Sequence, residues 1–169
     1  MTDSKTQSAP HFSIDLLATW FYLGKIPKAP GTFGTLGAIP LVLLFFTFGP
    51  MVYMGLTFVL VLASVFIAQA YENAKGTHDA KEIVIDEVVG FLITMTWLPA
   101  TWQSFALGFL VFRFFDILKP FPVGYLDRKI QGGLGVVADD VMAGVLGSLC
   151  MQVIYTQTNW LGHQLVHTS

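Results

Sequence analysis

All twenty fixed charges of this 169-residue chain lie outside its long apolar stretches. The nine bases are Lys5, Lys25, Lys28, Lys75, Lys81, Arg113, Lys119, Arg128 and Lys129. The eleven acids are Asp3, Asp15, Glu72, Asp79, Glu82, Asp86, Glu87, Asp116, Asp127, Asp139 and Asp140. None falls in 29–71, in 88–112 or after Asp140, so three polar segments (1–28, 72–87 and 113–140) hold every charge. If the apolar stretches between them cross a bilayer and return, every charge comes to one membrane face. Such a chain builds a polar site at the edge of a hydrophobic bundle.

Composition agrees. Hydrophobic residues make up 54% and charged residues 12%, with mean hydropathy +0.64, whereas soluble domains carry about 25% charged residues. The length suits one domain over 1–169. Its polar residues 1–11 are expected to be disordered, and they lack the apolar core of a cleavable signal peptide. A net charge of −2 argues against a nucleic-acid partner, which needs a basic footprint. The lone Cys150 sits in an apolar run without the surroundings of a catalytic thiol and reads as a core residue.

The pattern predicts an all-α integral membrane protein with about five membrane helices, some short or broken, plus an N-terminal interfacial helix. Residues 12–23 are too short to span and suit the interface. Residues 24–35, rich in Pro and Gly, read as a structured loop. A first span over 33–48 turns at Gly49-Pro50 into a second over Met51–Ala70, whose twenty residues cover the about 30 Å of a bilayer core. A third runs from Ala80 or Lys81 to Trp97, a fourth from Gln103 to Leu118, and a fifth from Asp139 to Thr156. Gln131–Gly135 reads as a glycine-rich turn. The expected far-side pieces 49–50, 98–102 and 157–169 contain no Lys or Arg, so the positive-inside rule puts the charged face and the N-terminus in the cytoplasm. Trp97, Trp102 and Trp160 would mark the far interface and Trp20 the near one.

Alternating helix direction brings Asp86 and Glu87, Arg113 and Asp116, and Asp139 and Asp140 to the same boundary. Taken singly, each acid has a bland reading: Asp139 suits an N-cap, and acids in a first turn complement the helix dipole. As a set they are adjacent like charges among apolar residues, which calls for cations. Converging carboxylates suit Mg²⁺, a hard ion that takes oxygen ligands and keeps waters for a phosphate. Arg113 and Lys119 then serve either as salt-bridge partners or as phosphate clamps. Gly31, Thr32, Gly34 and Thr35 offer N–H groups and hydroxyls, though a tight helix-entry turn explains them as well. His78-Asp79 suits proton transfer or a further ligand.

Four segments, Pro30–Gly34 (PGTFG), Ile83–Gly90 (IVIDEVVG), Phe112–Pro122 (FRFFDILKPFP) and Gly132–Gly144 (GGLGVVADDVMAG), resemble the phosphatidylglycerophosphatase A family in order and spacing. The resemblance runs from about Leu23 to Leu149. It implies an integral inner-membrane, Mg²⁺-dependent enzyme that removes the terminal phosphate of phosphatidylglycerophosphate to give phosphatidylglycerol. Thr32, His78, Asp79, Asp86, Glu87, Arg113, Asp116, Lys119, Asp127, Asp139 and Asp140 match the family's motif positions. The resemblance and the residue chemistry together give a catalytic set of Asp86, Asp116, Asp140, Arg113, Lys119 and His78. The substrate-binding set is Thr32, Gly31, Arg113, Lys119 and Asp127, and the metal ligands are Asp86, Glu87, Asp116, Asp139, Asp140 and Asp79. Ile85 stands where the family often has an aromatic residue, a difference of packing. Lys25 and Lys28 are left with a surface-attraction role.

The chain lacks the Asp-x-Asp-x-Thr/Val, Cys-x5-Arg and Lys-x6-Arg-Pro motifs of other phosphatases, so metal-activated water is the simplest attacking group, with an aspartyl-phosphate through Asp86, Asp116 or Asp139 the alternative. The rival class is a divalent-cation carrier using the same acids, which would place ionisable groups near the midplane. A phosphatidyl transferase would need an Asp-Gly-x2-Ala-Arg motif that the sequence lacks.

Overall fold

Apolar runs interrupted by Pro and Gly favour helices, and the computed structural model, which describes residues 10–77 and 80–162, contains helices and no strand among them. In chain order these are α1 (Phe12–Ala18), a short 3-10 turn (Leu23–Lys25), α2 (Pro30–Gly37), α3 (Ile39–Phe46), α4 (Pro50–Lys75), α5 (Ile85–Thr94), α6 (Trp102–Leu118), α7 (Val123–Lys129) and α8 (Gly133–Gln157). The expected disorder of 1–11 falls, for 1–9, outside the described residues.

Two helices, α4 with 26 residues and α8 with 25, are long and apolar enough to cross a membrane, at about 1.5 Å of rise per residue. Among the described residues these two meet that test, against about five expected, some short or broken, and the shorter stretches have local causes. The 33–48 run breaks at Ala38, because Pro40 lacks the N–H that would bind the Leu36 carbonyl. The third expected span is helical only over Ile85–Thr94, and ten residues cover about 15 Å. α6 matches the fourth expected span but has 17 residues.

Three smaller expectations also change. Part of the 24–35 loop is helical, because Pro30 opens α2 at a position that forms no intrahelical N–H bond. The interfacial helix stops at Ala18, where Trp20, Phe21 and Tyr22 take left-handed conformations (φ 44°, 57° and 67°). The presumed turn at Gln131–Gly135 instead starts α8, with Gly132 as its N-cap at φ 75°.

α5 forms the centre, with Ile85, Val88, Val89, Phe91 and Leu92 fully buried. It packs on α8 in parallel, since Gly90 lies against Asp140 and Gly144, and Thr94 against Gly147. α6 runs the other way, with Phe112 against Gly90 and Gly108 against Met95. α4 is antiparallel to α8: the Gly133 N–H donates to Gln69 Oε1 at 2.9 Å, near the end of α4. The starts of α5 and α8 and the ends of α4 and α6 therefore share one end of the bundle. Outside this core, α4 exposes Met51, Phe58, Val59 and Phe66, and α8 exposes Leu149 and Val153.

Candidate functional site

The site begins where two helix backbones touch. A Cβ on Gly144 would fall 2.4 Å from the Gly90 carbonyl oxygen, and one on Gly90 would fall 2.8 Å from that of Asp140. With no side chain on either glycine, α5 and α8 close up, and their parallel register sets Asp86 beside Asp140. One carboxylate oxygen from each of Asp86, Glu87 and Asp140 lies within 4.8 Å of the others. Asp86 and Asp140 are buried.

α2 closes one side. A Cβ on Gly31 would fall 2.0 Å from Glu87 Oε1 and 2.9 Å from Arg113 Nη1, so this turn must be glycine for the two charged groups to approach. The Thr35 hydroxyl donates to the Gly31 carbonyl at 2.8 Å and holds that turn. On α6, one turn separates Arg113 from Asp116; Arg113 Nη1 donates to Asp116 Oδ2 and lies 3.6 Å from Glu87 Oε1. Lys119 ends α6 in a left-handed conformation (φ 43°) immediately before Pro120, a combination that costs free energy and is characteristic of functional positions. Its ammonium lies 2.8 Å from Asp139 Oδ2 and also pairs with Asp127 of α7. Burial works against the Lys119 charge, but the bonds to Asp127 and Asp139 outweigh it and hold its pKa above the ordinary lysine range.

These groups surround a cavity of about 530 Å³. Its wall includes Gly31, Lys81, Asp86, Glu87, Arg113, Asp116, Lys119, Asp127, Asp139 and Asp140, with Ile83, Ile130 and Val136 as apolar lining. Among the described residues, six acids against three bases give the wall a formal charge of −3. Two buried carboxylate oxygens, Glu87 Oε2 and Asp139 Oδ1, and the Arg113 Nε find no hydrogen-bond partner among the described residues. Buried polar atoms without partners carry a desolvation penalty of about 1–3 kcal/mol, more when charged, and such positions are where a ligand is accommodated. Clustered hard oxygens, an unpartnered carboxylate oxygen and excess negative charge fit a divalent cation such as Mg²⁺.

Nine residues named from the sequence meet at this wall: Gly31, Asp86, Glu87, Arg113, Asp116, Lys119, Asp127, Asp139 and Asp140. Three of the expected metal ligands cluster (Asp86, Glu87, Asp140), whereas Asp116 and Asp139 are engaged by Arg113 and Lys119. Thr32 is not among the lining residues; the glycine before it is. Thr35 acts through the Gly31 carbonyl, and Gly34 packs on Val84. Lys25 is paired with Asp15 at 2.6 Å. His78 and Asp79 lie outside the described residues. The N-cap reading of Asp139 is overturned: α8 starts at Gly133, so both aspartates lie beyond its first turn. Lys81 was not singled out from the sequence; its place five residues before Asp86, in the same polar segment, was the available signal.

A family model described as "Phosphatidylglycerophosphatase A" matches residues 16–155. A Haemophilus influenzae protein named phosphatidylglycerophosphatase A is 38% identical over 150 residues, 88% of this chain and 90% of that protein. The Escherichia coli protein of the same name is 40% identical over 135 residues, 79% of this chain and 78% of that one. A Bacteroides thetaiotaomicron protein named putative phosphatidylinositol-3-phosphatase is 34% identical over 152 residues, 85% of this chain and 94% of that protein. No solved structure matches.

Proposed function

The chain belongs to the phosphatidylglycerophosphatase A family, and from that premise we propose that it is a Mg²⁺-dependent lipid phosphatase acting on phosphatidylglycerophosphate. As a family member it is a phosphoric monoester hydrolase. The products would be phosphatidylglycerol and phosphate. The observation that carries the reading is the carboxylate floor of Asp86, Glu87 and Asp140 facing the cations of α6 across one cavity.

Asp86, Glu87 and Asp140 would hold the metal. Bound there, Mg²⁺ supplies Lewis-acid polarisation of a phosphoryl oxygen and lowers the pKa of a bound water. Arg113 binds the phosphate: its Nε has no partner, while Asp116 holds Nη1 and so fixes the plane of the guanidinium. Lys119 stays protonated and contributes charge to the equatorial oxygens. Asp139, whose Oδ1 is buried without a partner among the described residues, would accept the proton of the attacking water, while Lys119 restrains its other oxygen. As water bonds to phosphorus, the bond to the glycerol oxygen breaks, and that oxygen takes up a proton from solvent at the cavity mouth to leave as the alcohol of phosphatidylglycerol. A phosphorylated carboxylate trapped during turnover would replace this direct attack with the aspartyl-phosphate route.

The same reading puts α4 and α8 across the bacterial inner membrane. The most apolar 18-residue window of α4 is only 22% buried, whereas a core helix of a soluble protein would be mostly covered. Lys and Arg all lie in the three polar segments, which supports a cytoplasmic location for that end of the bundle and the N-terminus. A cation carrier would need ionisable groups along these helices. From Pro50 to Tyr71 α4 has none of Asp, Glu, Lys, Arg or His, and α8 has none after Asp140.

The test is phosphate release from phosphatidylglycerophosphate by the purified protein in detergent, with phosphatidylinositol 3-phosphate as comparison substrate. Release that stops with EDTA and returns with Mg²⁺ is expected. No release with Mg²⁺ present, or release indifferent to EDTA, defeats the proposal.

A further inference from the structure

Phosphatidylglycerophosphate carries two phosphates: the terminal monoester, and the diester joining glycerol to diacylglycerol. The carboxylate floor, Arg113 and Lys119 account for the monoester. We propose that Lys81 binds the phosphodiester and so makes the enzyme select lipids that carry both groups, an inference that rests on the lipid-phosphatase reading above.

Three bases among the described residues line the cavity, and two of them are committed to its acids. Arg113 is bonded to Asp116 beside Glu87, and Lys119 lies between Asp127 and Asp139. Lys81 is the third. It is contributed by the segment joining α4 to α5, and it lines the cavity while remaining exposed, so it stands at the mouth. A diester phosphate reaches the same mouth, because it lies between the terminal phosphate inside and the acyl chains outside.

The backbone that carries Lys81 is held from several sides. The Ile83 N–H donates to the Ala80 carbonyl at 2.8 Å, closing a four-residue turn around Lys81 and Glu82. The Glu82 carboxylate accepts from the buried Tyr71 hydroxyl and pairs with Lys75 at 3.0 Å, tying the turn to α4. Gly24 lies so close beneath that a Cβ there would fall 2.0 Å from the Glu82 carbonyl oxygen. The Val84 N–H then donates to the Ala18 carbonyl at 2.9 Å. A flexible side chain on a fixed turn suits recognition of a singly charged phosphate by a point charge, with little ordering to be done on binding.

Steady-state kinetics of the full chain in mixed micelles test this with Lys81→Met, which keeps the apolar stem. KM for phosphatidylglycerophosphate should rise about five- to tenfold, the worth of one exposed charge-assisted hydrogen bond, with kcat within about twofold of wild type. The inhibition constant of phosphatidylglycerol, which retains the diester, should rise in parallel, while that of inorganic phosphate stays unchanged; Lys81→Arg should restore both. An unchanged KM, a fall in kcat alone, or a shift in phosphate inhibition without one in phosphatidylglycerol inhibition overturns the assignment. Direct binding of phosphatidylglycerol to wild type and Lys81→Met makes the same comparison without turnover. Absent phosphate release by wild type would sink the phosphatase reading, and equal lipid binding by the two proteins would sink this one.

Discussion

Replacing Gly31 by alanine separates site geometry from stability. The added methyl carbon would fall 2.0 Å from Glu87 Oε1 and 2.9 Å from Arg113 Nη1. Ordinary heavy-atom contact is about 3.5–4.0 Å, so the Glu87 carboxylate must retreat by about 1.5 Å. Glu87 is a rotatable side chain and can do this, so overpacking costs about 1 kcal/mol, the low end of its usual range. Alanine's advantage over glycine in a helix, about 0.5–1 kcal/mol, offsets most of that. The carboxylate, however, leaves the cluster it forms with Asp86 and Asp140, and a misplacement of about 1 Å at a reacting site costs about 10²-fold in rate. Gly144→Ala is the contrasting variant. Its methyl would meet the Gly90 carbonyl oxygen at 2.4 Å and the Gly90 Cα at 3.1 Å, backbone atoms that cannot rotate away. There α5 must lift off α8, at about 1–3 kcal/mol or more. Phosphate release and thermal unfolding in the same detergent read the two effects. Gly31→Ala should lose about 10²-fold in activity and unfold within a few degrees of wild type, while Gly144→Ala should unfold markedly earlier. Activity of Gly31→Ala within threefold of wild type would remove Glu87 from the site and refute the reasoning.

Asp86→Asn and Asp140→Asn should each cut phosphate release by at least about 10³-fold while the protein stays folded, because each removes charge from the floor without changing its shape; near-normal rates in both would move the metal elsewhere. Glu82 bears on acid stability. Hydrogen bonds from Tyr71 and then Lys75, outweighing burial, hold its carboxyl below the ordinary carboxylate range. A lowered folded pKa contributes stability that is present above the unfolded value of about 4.3 and is lost as pH falls through the folded one. Thermal unfolding of Glu82→Gln should therefore fall less steeply than wild type below about pH 5, and parallel curves would rule the linkage out.

The meeting of acids at one bundle end was legible from charge spacing alone, because the helices between the polar segments reverse the chain as the apolar lengths require. Asp127, which also lines the cavity, was legible only through the family resemblance. Helix lengths were less legible. The charge-free residues 88–97 extend the expected span to Trp97, yet α5 ends at Thr94 and is buried on nearly all sides, and a run that is apolar all round reads alike whether lipid or protein surrounds it. The selection of Asp86, Glu87 and Asp140 out of six acids was not legible, since it depends on the Gly90–Gly144 approach between residues 54 apart in the chain. The role of Gly31 was half visible: a glycine-rich entry turn was expected, but not the carboxylate and guanidinium that occupy its missing Cβ. Lys81 is not legible from motif spacing, which identifies acids in pairs and gives a single lysine no partner.

The most direct test is a Mn²⁺ titration of the detergent-solubilised protein, followed by electron paramagnetic resonance, for wild type and for Asp86→Asn/Asp140→Asn. Wild type should bind Mn²⁺ saturably and release it to excess Mg²⁺, and the double variant should lose that binding while keeping its unfolding temperature. Equal Mn²⁺ binding by both proteins would contradict the assignment of the metal to the α5–α8 floor.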